Sequence, residues 1–108
     1  MRIAGFFEIA KLLFNQGERF RVEGNSMLPA LKDGDEVYVE KASDFRVGDI
    51  VVAQHPFRKT PIIKRVTEIT GQGKFFLAGD NPAESTDSRS FGEISADSIL
   101  GKVVCKLR

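Results

Sequence analysis

Ser26 and Lys64 are the two side chains of this 108-residue chain whose settings would let them do chemistry together. Ser26 sits in Gly24-Asn25-Ser26-Met27-Leu28-Pro29, between a strand-like run and a proline that stops the chain turning helical. Glycine before it and proline after it permit a sharp turn with a small hydroxyl at its tip. Lys64 sits in the apolar run PIIKRV at 61–66, where a period of two places it on one face with Ile62 and Val66. Arg65 turns the other way with Ile63. Desolvation favours a neutral amine, and a neutral lysine can accept a proton from a serine hydroxyl. Both features also have ordinary readings. Most Gly-Asn-Ser turns are only turns, and on its strand alone Lys64 reads first as an edge-strand lysine snorkelling to water.

A third stretch bears on this. Residues 79–92, GDNPAESTDSRSFG, gather Asp80, Asn81, Ser85, Thr86, Asp87, Ser88 and Arg89 in a short span. Hydroxyls and a local Asp87/Arg89 pair suit a rigid polar wall that orients a neighbouring amine. A solvated loop held by Asx and Ser/Thr turns would have the same composition.

The elements that must carry these residues are mostly short strands. Arg19–Glu23, Glu36–Glu40, Asp49–Gln54, Pro61–Ile69, Lys74–Ala78 and Ile99–Leu107 read as strands, with a hairpin-like loop over His55–Pro61. Gly-Asp dipeptides at 34–35, 48–49 and 79–80 mark turns that share no longer pattern, so they read as independent turns. Before them, Ile3–Phe14 (IAGFFEIAKLLF) reads as an amphipathic helix ending near Gly17. It is too short and too charged for a membrane span, and it packs on the domain or a partner in preference to a bilayer. The expected organisation is a helix at 1–17 and a catalytic β domain at 18–108.

Composition narrows the function classes. A net charge of +1 gives no argument for nucleic acid binding. A single cysteine, Cys105, excludes an intramolecular disulfide and a cysteine-based zinc site, and one histidine with scattered carboxylates forms no ligand cluster. No metal or cofactor is expected.

Taken in order, GNSMLP, the GD-x-V and GDIV boxes at Gly34 and Gly48, IKRV at 63–66 and GDNPAESTDSRSFGEI ending at Ile94 resemble the signal peptidase I family of Ser/Lys proteases. The resemblance implies a mainly β fold, a small signal-peptidase or LexA-like mixed β-sheet catalytic domain. It implies Ser26 as nucleophile, Lys64 as general base, Ser85 as the hydroxyl orienting the lysine, and Asp87/Arg89 as a structural ion pair. Met27 and Pro29 would shape the nucleophile turn. Gly24 stands where some members carry a hydroxyl residue, so backbone N–H groups of the turn (Gly24, Ser26, Met27), Ser26 foremost, would hold the oxyanion.

The large inserted β subdomain of some signal peptidases is missing between Ser26 and Lys64, and no transmembrane anchor is expected. Within the resemblance, the HPF segment and the GDNP-x-x-STDSR-x-FG box favour the nickel-type superoxide dismutase maturation proteases. The implied partner is a precursor N-terminus, the implied setting bacterial cytoplasm or the membrane periphery. Four readings compete with leader removal by this subgroup. They are signal-peptidase cleavage of exported preproteins, a self-cleaving repressor-type protease cut after Ala4, a Ser/His/Asp triad using His55, and a non-catalytic peptide-binding β module. For His55 a turn-capping or surface role is the plainer account.

Overall fold

The computed structural model describes residues 17–42, 44–84 and 91–107. The helix expected at the N-terminus therefore lies outside the described residues. Seven strands follow in chain order: β1 (Glu18–Arg21), β2 (Glu36–Glu40), β3 (Ile50–Gln54), β4 (Pro61–Ile69), β5 (Lys74–Ala78), β6 (Ile94–Ser95) and β7 (Ile99–Lys106). They form one sheet in the order β1-β2-β7-β3-β4-β5-β6. Every pairing is antiparallel, so the expected mixed sheet is corrected. The cause is the closing strand. β2 and β3 run in the same direction, but β7 slots between them and hydrogen-bonds both.

The order also forces the sheet to curl. Only the 3-10 turn Ala96–Ser98 joins β6 to β7, although four strand spacings separate them in the sheet. From Ser95 to Ile99 the chain reaches about 14 Å at most. Four spacings of a flat sheet come to about 19 Å. The strands must therefore wrap until the two ends meet.

Wrapping in this way buries both faces of β3. Ile50 and Val52 face one core with Val22, Met27, Leu31, Val37, Ile63 and Val103. Val51 and Ala53 face a second with Val66, Phe75, Leu77, Ile94 and Ile99. That is why the third strand reads as a continuous apolar run rather than an alternating one. β6 escaped the sequence reading because two residues of ladder leave no periodicity to detect.

Two of the three Gly-Asp turns share one geometry. Gly34 and Gly48 have φ of +88° and +98°, a region L side chains rarely adopt. In each turn the following aspartate reaches back three residues, Asp35 Oδ2 accepting from Lys32 N at 2.9 Å and Asp49 Oδ2 from Arg46 N at 2.8 Å. Asp80 does something different, described below.

Gly101 of β7 stands where β2 leaves no room for a side chain. A Cβ there would meet Val39 Cγ1 at 2.5 Å and the Glu40 carbonyl oxygen at 2.8 Å. The neighbour includes backbone, which cannot step aside. Gly101→Val is expected to destabilise the fold by about 1–3 kcal/mol or more, read as a lower urea midpoint in equilibrium unfolding.

Candidate active site

The turn carrying Ser26 is pinned to the fold from beneath. Met27 and Leu31 are fully buried in the first core, each removing a side chain from water worth about 1.5–3 kcal/mol. Leu31 N donates to Met27 O at 2.9 Å and Leu28 N to Asn25 O at 3.3 Å, closing the turn. The Leu28-Pro29 peptide is cis. Ser26, one residue before the buried methionine, is left half-exposed.

Gly24 has φ of +81° and open space where a Cβ would stand, so conformation rather than crowding demands glycine. Its N–H donates to Asp33 Oδ1 at 2.7 Å. That bond ties the start of the turn to the Lys32–Asp35 turn. The Ser26 and Met27 N–H groups make no hydrogen bond among the described residues.

Lys64 is 5% exposed, on an interior strand, directly opposite the buried Val51. The snorkelling edge lysine is thereby corrected: β3 covers one side of β4, and the fold encloses its side chain. Ser26 and Lys64 line the same cleft, of about 420 Å³, with Phe20, Arg21, Glu23, Thr60, Pro61, Ile62 and Ile63. Two sheet edges border it. β1 pairs only with β2, and β5 joins β4 only from Arg65 onward, so Pro61–Ile63 has no strand on that side among the described residues.

The segment after β5 is tied to both members of the pair. Arg65, next to Lys64, donates Nε to Asp80 Oδ1 at 2.9 Å and Nη2 to Asp80 Oδ2 at 2.8 Å. This bidentate hydrogen-bonded pair raises the guanidinium pKa above its ordinary value, against a smaller opposing effect of burial. Arg65 Nη1 also donates to Gly48 O at 2.7 Å. One residue on, Asn81 N donates to Ser26 O at 2.8 Å and Asn81 Nδ2 to Asn25 O at 3.0 Å. Ser85, Asp87 and Arg89 lie outside the described residues.

Asn81 and the Arg65–Asp80 pair are site-shaping residues that sequence reasoning left in the background. The signal was there for Arg65, a second cation in an apolar strand that needs a partner. Nothing in the sequence could name Asp80 over the other carboxylates.

Residues 4–104 match the model of the peptidase S24-like family. The chain belongs to that family. It is similar to signal peptidase IB of Staphylococcus aureus, with 29% identity over 87 residues, covering 81% of this chain and 46% of the relative. It is also similar to mitochondrial inner membrane protease subunit 1 of Schizosaccharomyces pombe, 32% identical over 108 aligned residues, covering 78% of this chain and 69% of that one. The chain thus spans about half the length of the first of these. Both relatives support the signal peptidase I resemblance. Among the described residues no helix is long and apolar enough to cross a membrane, and no cluster of three or more His, Cys, Asp or Glu could hold a metal ion.

In this peptidase S24-like domain His55 is buried, at 6% exposure, which corrects the surface alternative. Its turn-capping role is present: Phe57 N donates to His55 Nδ1 at 3.0 Å. An Nδ1 acceptor places the proton of the neutral ring on Nε2, which has no partner among the described residues. The ring meets Phe91 edge-on, with centroids 5.0 Å apart. Desolvation lowers the His55 pKa from its usual 6.5, with Arg58 and Lys64 pushing the same way.

The sign follows directly. A folded-state pKa below the unfolded value means the native protein binds fewer protons, so this contribution to stability is present above pH 6.5 and lost as pH falls below it. Thermal melts of wild type should drop between neutral and mildly acidic buffer. His55→Phe, which cannot titrate, should flatten that slope; identical slopes would contradict the assignment.

Proposed function

We propose that this chain is a serine endopeptidase with a Ser26/Lys64 dyad that removes an N-terminal leader from a precursor protein. The observation that carries this reading is the shared cleft: a half-exposed serine and a buried lysine on the wall between two strand edges that have no strand partner among the described residues. Such edges accept an extended peptide as an added strand through main-chain hydrogen bonds, which is the conformation a protease needs at the bond it cuts.

The chemistry follows the Ser/Lys form of triad logic. Lys64 as a neutral amine takes the proton of Ser26 Oγ while that oxygen attacks the scissile carbonyl. The Ser26 N–H, with Met27 N–H beside it, stabilises the oxyanion. Lys64 then gives the proton to the leaving amine, and the C–N bond breaks to an acyl-enzyme. Water, deprotonated by the same lysine, attacks the ester carbonyl and restores Ser26. Ser85 would orient the lysine, and Asp87 with Arg89 would brace the loop.

Signal-peptidase-type leader removal is the reading the relatives support. A nickel superoxide dismutase precursor, whose new N-terminus would ligate nickel, is the finer alternative, favoured by the His55-Pro56-Phe57 segment and the GDNP-x-x-STDSR-x-FG box. Mixing the protein with that precursor and with an exported preprotein, then sequencing new N-termini, separates the two.

Ser26→Ala should abolish cleavage with peptide binding intact, a loss on the order of 10³–10⁶ in kcat. Lys64→Arg should be equally inactive, because arginine does not deprotonate at working pH. Wild-type kcat/KM should rise with pH as the lysine loses its proton and hold into alkaline buffer. Substantial turnover by either variant would sink the dyad.

A further inference from the structure

The hairpin between β3 and β4 displays an aromatic side chain in water and holds it there. Phe57 is 79% exposed, and Arg58 and Lys59 beside it are exposed as well. A loop free to relax would fold such a ring against the surface. This one is restrained at four points. Gln54 Nε2 donates to Arg58 O at 2.8 Å and to Lys59 O at 3.1 Å. Phe57 N donates to His55 Nδ1 at 3.0 Å, and the Phe57 ring leans on the buried His55 ring with centroids 6.1 Å apart. Between Gln54 and Pro61 there is no acidic residue to offset the two cations.

The tip is continuous with the catalytic cleft. Thr60 and Pro61, next in the chain, already line the cleft with Ser26 and Lys64. A peptide laid along the open Pro61–Ile63 edge would run on past the tip. Pro61, the first residue of β4, lies about 10 Å along the strand from Lys64 at about 3.3 Å per residue, and the tip lies beyond it. The tip therefore meets a substrate about four to six residues from the bond being cut.

We infer that Phe57, Arg58 and Lys59 form a specificity site for the precursor, selecting an acidic segment with an apolar or aromatic residue four to six positions from the scissile bond. The inference rests on the peptidase reading above and names the substrate class for that site. Charge complementarity favours acidic peptide, while continuity with the strand edge favours a peptide over a bilayer. The ring supplies apolar contact, and the two cations supply sign selection.

The test uses the full chain carrying Ser26→Ala as a non-cutting binder. Two labelled synthetic peptides are compared by fluorescence anisotropy, identical around a central Ala-Ala but with Glu-Phe-Glu or Lys-Phe-Lys placed four to six residues away at either end. The acidic peptide should bind about three- to tenfold tighter at low salt, from two exposed charge pairs. The preference should shrink in high salt. Arg58→Glu with Lys59→Glu should reverse it, and Phe57→Ser should weaken the acidic peptide while sparing one that lacks the aromatic.

Equal affinities for the two peptides, or a preference unmoved by charge reversal, would overturn the inference. Loss of flotation with phosphatidylglycerol vesicles in the charge-reversed variant, with peptide affinities unchanged, would also overturn it and assign the tip to a membrane surface. Residual cutting by Ser26→Ala would strike the dyad reading instead, since the charge preference is still scored by binding.

Discussion

A short connection between distant strands governs this molecule. Ala96–Ser98 must carry the chain from the edge strand β6 into β7, the strand at the heart of the sheet, and only a curled sheet brings those ends within reach. Curling has two consequences. It closes an apolar core on each face of β3, giving a small domain more burial than a flat half-exposed sheet would provide. It also swings β1 round toward β4, four strands away in the sheet, until both walls face one cleft.

That cleft takes one buried charged side chain, Lys64, into its wall. Asp35, His55 and Lys64 are the buried polar or charged side chains among the described residues. Asp35 has a structural purpose, accepting from Lys32 N and approaching Lys106 Nζ at 3.4 Å. Lys64 has a chemical one in the proposed mechanism. His55 serves both the hairpin and the loop it touches through Phe91. Buried polar groups cost stability unless satisfied, and these three lie apart: Asp35 beside Lys106 at one end of β7, His55 just beyond the β3 residue that pairs with Ile99 at the other, and Lys64 in the cleft wall.

Positioning is shared between adjacent residues. Lys64 faces one side of β4 and Arg65 the other, so the strand that carries the proposed base also carries the clamp for the segment beyond β5. Arg65 holds Asp80, and Asn81 then reaches the Ser26 backbone. The Ser26 turn, β4 and the segment after β5 thus form one hydrogen-bonded unit. A rigid bidentate fork suits this task better than a single ammonium contact would.

How much of this was legible in the sequence depended on how local the cause was. The turn at Ser26, the Gly-Asp turns, the long strands and the face of Lys64 follow from backbone preference and a period of two, which neighbouring residues settle among themselves. The ordered boxes pointed to the family for the same reason, as each is a contiguous piece. Sequence alone could not give the depth of burial of Lys64 and His55, the antiparallel insertion of β7, or the choice of Asp80 as partner to Arg65. Those depend on which distant segments the curl brings together. The Gly24 amide shows the division most plainly. Its glycine was readable as a turn former, but the engagement of its N–H by Asp33 came from a residue nine positions away that only the folded chain places there.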